Sequence, residues 1–125
     1  MPISNYLETN FINASVRNTA YTPPATVYIA LYSTAPTEST AGVELTGNGY
    51  SRQSVVFAAP TATGSVSSSI VTIGPATADW AIITATAVID AATGGNILYY
   101  QPKTAVVKSG DTVEIAAGDI LVNMT

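Results

Sequence analysis

Short apolar stretches of strand length recur along this chain, and Gly, Pro, Asn and Asp interrupt them at short intervals. Residues 26–33 (TVYIALYS) are the clearest case: Val27, Ile29 and Leu31 fall on one face, and Tyr28, Ala30 and Tyr32 on the other. Period two with β-branched and aromatic residues predicts a strand. Neither face carries a charge, so both are expected to be at least partly covered. Residues 77–100 (TADWAIITATAVIDAATGGNILYY) predict a hairpin: a central strand over 81–89, a turn over 90–96 and a return over 97–101, ended by Pro102. Residues 50–58 read as a further strand with Val55 and Phe57 inward, and 65–73 as a weaker one. Two more strands, 112–116 and 120–124, are separated by turns at Ser109, Gly110 and Asp111 and at Ala117, Gly118 and Asp119.

The first segment follows a different period. Ile3, Leu7, Phe11 and Ala14 share one stripe at helical spacing, with Ile12 and Val16 beside it. Asn5 followed by Glu8 suggests a capping box, and Asn18 with Thr22, Pro23 and Pro24 stops the helix. The stripe is expected to pack on the domain itself rather than on a neighbour. Residues 34–49 form a long loop rich in Pro, Ser, Thr and Gly, in which Val43 and Leu45 are placed to fold over as a short strand or clip. Roughly seven or eight short strands with frequent turn signals give the sandwich or barrel pattern. The expected architecture is mainly β: an antiparallel, jelly-roll-like β-sandwich with a short N-terminal helix. It is read as one domain over 1–125, with a helical segment at 1–20 and the sandwich over 26–125.

Composition narrows the function more than the fold. The chain has 125 residues, enough to bury one core, and no Cys or His. Disulfides, thiolate metal sites, imidazole ligands and the usual neutral-pH base are thereby removed. Four basic residues, Arg17, Arg52, Lys103 and Lys108, are scattered against eight acids, so no stripe exists to neutralise phosphates, and neither nucleic acid nor an anionic membrane is an expected partner. The longest uncharged stretch, 53–78, is broken by Pro60, Gly64, Gly74 and Pro75 and is no membrane span. No basic, then apolar, leader opens the sequence, so no signal peptide is expected. A surface of Thr, Ser and Ala costs little to desolvate and suits burial against other subunits.

Candidate chemistry is thin. A Ser–Lys dyad could use only Lys103 or Lys108, whose spacing does not support it. Asp79, Asp90, Asp111 and Asp119 sit at turns or strand ends, where Asp bonds to local backbone, so a glycosidase pair is disfavoured. No run of calcium-ligand spacing occurs. The segments Gly47, Asn48, Gly49 and Gly94, Gly95, Asn96 have turn composition rather than that of phosphate loops. Tyr28, Tyr32, Tyr50, Tyr99 and Tyr100 with Trp80 could make a sugar-stacking platform, although aromatics on strands are more often core or interface. No catalytic, cofactor-binding or metal-binding residue is assigned, no cofactor is expected, and the chain does not read as an enzyme.

Four stretches in combination carry a resemblance: GYSRQ at 49–53, TADW at 77–80, DAATGGN at 90–96 and AAGD at 116–119. Across nearly its whole length the chain resembles a family of small virion proteins of tailed bacteriophages, often labelled tail-fibre proteins, whose small β-sandwich type resembles capsid cement or decoration proteins. The resemblance implies a structural protein of the particle and brings no catalytic residues. A cement protein on the capsid surface is the first expectation, homotrimeric, bound to the major capsid protein and made in the host cytoplasm. Its contacts would fall in the 34–49 loop and the N-terminal segment. The alternative is a tail-fibre or tail-tip component touching the host surface. Compact size without fibrous repeats favours cement.

Overall fold

The computed structural model describes residues 1–122. Within them the chain forms one helix, α1 (Asn5–Val16), and nine strands: β1 (Val27–Thr34), β2 (Val43–Glu44), β3 (Gln53–Val55), β4 (Ser65–Val66), β5 (Val71–Ile73), β6 (Ile83–Ile89), β7 (Ile97–Ala105), β8 (Val113–Ile115) and β9 (Leu121–Val122). All pairings are antiparallel. The main sheet runs β2-β1-β6-β7, with β3 also on β1, and two ribbons, β4-β9 and β5-β8, form the opposing layer. This is the expected mainly-β sandwich. Of the last expected strand, Asn123 and Met124 lie outside the described residues.

Alternation in β1 builds two cores. Its Ile29 and Leu31 join Val55, Val88 and Leu98 of the sheet against Val71, Ile73, Val113 and Ile115 of the ribbons, which fills the sandwich. The other face buries Ala30 and Tyr32 with Ala85, Ala87 and Ile89, and Ile97 and Tyr100 pack against them. Small side chains there let the covering chain approach closely: Ala41, Gly42, Gly94 and Gly95 border Tyr32, Ile89 and Ile97. Both faces of the central strands are thus covered, as the absence of charge foretold.

Several boundaries differ from the sequence reading, each for a local reason. Pro102 does not end its strand: β7 continues to Ala105, with Pro102 opposite Ala85. Among the described residues the outer side of β7 is met only by residues 2–4, over Leu98 to Tyr100, so no ladder bond needs the N–H that Pro102 lacks. The helix cap is Ser4, not Asn5: its Oγ accepts from Leu7 N at 3.3 Å and donates to Ile97 O at 2.5 Å. Burial fades along α1, from buried Leu7 through half-buried Phe11 to exposed Ala14, with Ile12 and Val16 exposed beside it. Ile3 lies before the helix, bridged to Tyr99. The 65–73 strand splits into β4 and β5 because buried Ser67 turns its Oγ to the amides of Gly118 and Ile120. The 50–58 strand shortens to β3, and Phe57 makes only an isolated bridge to Ser67. Among the described residues no helix is long and apolar enough to cross a membrane.

Candidate functional site

The 34–49 loop, expected to carry contacts, is partly folded. Val43 and Glu44 pair with Thr34 and Tyr32, so the clip is a two-residue strand, and Leu45 is buried. Its tip closes on itself: Thr37 N donates to Thr40 O at 3.0 Å, and the two hydroxyls lie 2.7 Å apart.

Beneath this loop lies a polar cluster that sequence reasoning missed. Arg52 Nε and Nη2 each donate to Glu44 carboxylate oxygens at 2.8 Å, a bidentate fork. Arg52 Nη1 donates to Ala91 O at 2.8 Å and Gly94 O at 2.7 Å. Tyr50 Oη donates to Glu44 Oε2 at 2.5 Å and accepts from Leu31 N at 3.1 Å. The cluster therefore ties β2, β1 and the 90–96 turn into one unit. Its electrostatics follow: burial alone would raise the Glu44 carboxyl, but hydrogen bonds from Arg52 and Tyr50 and the guanidinium charge hold it below its ordinary value. Tyr32 is pushed up to about 12, first by burial and then by Glu44. The Tyr50 hydroxyl is raised by burial and by its bond to Glu44. A shallow cleft of about 330 Å³ opens beside the cluster, lined by Thr46, Gly47, Ser51 and Thr93 among others. Four of the five guanidinium donors already have partners, so Arg52 acts as a clamp rather than as an anion receptor. The only sequence signal for it was Arg52 inside GYSRQ.

The aromatic candidates do not form one platform. Tyr32 and Trp80 are buried, at 4% and 8% exposure. Trp80 stacks edge-on with Tyr50 at 5.8 Å and donates its Nε1 to Asn48 O at 2.8 Å. Tyr28, Tyr99 and Tyr100 are half-buried; neighbouring Tyr99 and Tyr100 pack against different cores, and Tyr28 sits on β1 opposite Ile89.

The acidic candidates serve turns. Asp79 accepts from Ser109 N at 2.9 Å, Asp90 from Asn96 N at 2.7 Å and Asp111 from Lys108 N at 3.2 Å. Asp119 contributes its amide to Ala116 O at 3.1 Å. Lys108 Nζ lies 3.6 Å from Asp79 on the surface, and Lys103 sits half-buried on β7. Gly47, Asn48 and Gly49 all have positive φ, which confirms a turn. Among the described residues no three acidic side chains gather as a metal cluster. What the arrangement does chemically is hold loops against a rigid sandwich.

The family model described as podophage GP4 fiber I protein gp80 matches residues 2–123, which takes in the helix, both layers and the clamp. No curated protein matches the chain.

Proposed function

We infer that this chain, which belongs to the family of podophage GP4 fiber I protein gp80 and is a structural protein of a phage virion, serves as a fibre module that works by packing and not by chemistry. The single observation that carries this reading is the span of the family match, residues 2–123, which coincides with the folded unit. The geometry supports it. The clamp and the turn aspartates act on their own backbone, and the surface they leave is low in charge. In such a module each copy contributes contacts to neighbours in the particle, and binding only the assembled form shifts the equilibrium towards it.

A second reading, a decoration protein seated on the major capsid protein as a homotrimer, draws support from the absence of fibrous repeats. The fibre description of the family is what supports putting the fibre reading first, whereas size alone favoured decoration. Cryo-electron microscopy of the intact virion separates the two. Density for the sandwich in appendages of the tail is the expected result. Ordered copies over the capsid lattice would replace the fibre reading with decoration.

A further inference from the structure

The first 21 residues dock on the rest of the molecule as an added piece. Tyr100 N donates to Pro2 O at 3.1 Å and Ser4 N donates to Leu98 O at 2.9 Å, bracketing the bridge between Ile3 and Tyr99. Residues 2–4 thereby form a short extra strand on the outer edge of β7. Met1 N reaches across to Leu121 O at 2.8 Å. Helix α1 follows, and its packing on another element is on β7. Tyr21 then stacks edge-on with Phe11, centroids 5.7 Å apart, and belongs with the helix.

Between this piece and β1 lie residues 22–26, Thr-Pro-Pro-Ala-Thr, exposed except for half-buried Pro24. Two consecutive prolines hold such a connector extended, at about 3.1 Å per residue, and disfavour a compact return. At the hinge-side end of α1, Ile12 and Val16 stand exposed at 58% and 75%. These are the features of a segment that can leave its own sheet edge for the identical edge of a neighbour, at little net cost because every docking contact is remade.

We propose that residues 1–21 are exchanged between copies of this chain, each copy's 2–4 strand completing the β7 edge of another, with residues 22–26 as the hinge. The occupant of the β7 edge is thus a second copy's own segment. Exchange links copies without any new interface chemistry. The proposal stands on the geometry of this segment, whichever part of the particle the chain occupies.

The absence of native cysteine makes a covalent test clean. Ile3 and Tyr99 face each other as a non-hydrogen-bonded antiparallel pair, the spacing that a disulfide accepts. One preparation carries Ile3→Cys alone and another Tyr99→Cys alone. They are mixed, warmed, cooled and oxidised. A short tether competes at an effective concentration of ~1 mM, so the covalent heterodimer should accumulate as the mixture is concentrated from micromolar to millimolar. Either variant alone should stay far below it. A heterodimer yield no greater than the homodimer background would overturn the proposal. A second variant avoids touching the core: deleting residues 22–25 leaves one residue between Tyr21 and Val27, which shortens the tether by about 12 Å at about 3.1 Å per extended residue and disfavours docking on its own edge. A folded dimer by light scattering is expected; a monomer with unchanged circular dichroism would equally overturn exchange.

Discussion

Replacing Arg52 with Met keeps an unbranched apolar stem but removes the guanidinium and its four hydrogen bonds, to Glu44 and to the carbonyls of Ala91 and Gly94. Exposed ion pairs contribute about 0–1 kcal/mol, whereas breaking a buried one costs about 3–5 kcal/mol. The Arg52 and Glu44 side chains are 10% and 23% exposed, nearer the buried limit. Arg52→Met should therefore cost about 2–4 kcal/mol, part of it from a carboxylate left with Tyr50 as its side-chain donor. Urea unfolding followed by circular dichroism measures the loss, and amide exchange should rise in the 90–96 turn. Adding Glu44→Gln to the Met variant removes the uncompensated charge and should restore about 1 kcal/mol or more. Acid adds an independent check. A carboxyl whose folded pKa is depressed stabilises the fold above its unfolded value of about 4.3, and that contribution disappears as pH falls through the folded value. Glu44→Gln should flatten this part of the acid profile. A loss below about 0.5 kcal/mol for Arg52→Met, or a further loss in the double variant, would refute the clamp.

Three further outcomes follow from individual sites. Thr86 Oγ1 is buried at 1% exposure with no hydrogen-bond partner, so Thr86→Val should stabilise the fold by about 1 kcal/mol in thermal or urea unfolding. Gly94 and Gly95 both have positive φ, yet a Cβ at Gly94 meets open space while one at Gly95 collides with Asp90 Oδ1 and approaches Ala91 Cβ at 2.8 Å. Gly95→Ala should accordingly lose at least about 1 kcal/mol more than Gly94→Ala by the same assay. Burial raises Tyr32 to about 12 and raises Tyr50 as well, so their contribution is complete below an unfolded pKa of about 10 and is lost as pH climbs above it. Phenolate absorbance should show both titrating only as the fold opens; ionisation with unchanged circular dichroism would contradict their burial.

The sheet was legible because alternation is a local signal. TVYIALYS shows period two within eight residues, and its lack of charge announces two covered faces. The turn over 90–96 was legible for a similar reason: Asp90 and Asn96 bond to each other within it. The clamp was not legible, because Glu44, Arg52 and Gly94 meet only after β2 folds onto β1 and the β6–β7 turn comes alongside. Nor could period alone show that Pro102 is tolerated: that depends on β7 being an edge, which is a property of the whole sheet. Helix periodicity overstated the buried stripe for the same reason, since Ile12 and Val16 are spaced for a face that the sheet does not extend to meet. The aromatic set divides by the legible rule instead: Tyr99 and Tyr100, adjacent on β7, end on opposite cores as alternation along a strand requires.

The distribution of charge connects the fold to an assembly role. Only twelve side chains are charged, four basic and eight acidic, and many of them are engaged within the molecule. Arg52 and Glu44 lock a loop to a turn, Lys108 pairs with Asp79, and Asp90 and Asp111 accept from their own turn amides. Charges fixed in this way stiffen loops that would otherwise lose entropy when they met a partner. They also leave a surface of Ser, Thr and Ala, with exposed Val43, Ile82 and Val106, whose desolvation costs far less than that of Lys or Glu. Rigidity and low desolvation cost lower two of the main penalties of association. A protein whose work is repeated contact in a particle benefits from both, whereas an isolated soluble monomer would benefit more from the opposite allocation, with its charges outward and its loops mobile.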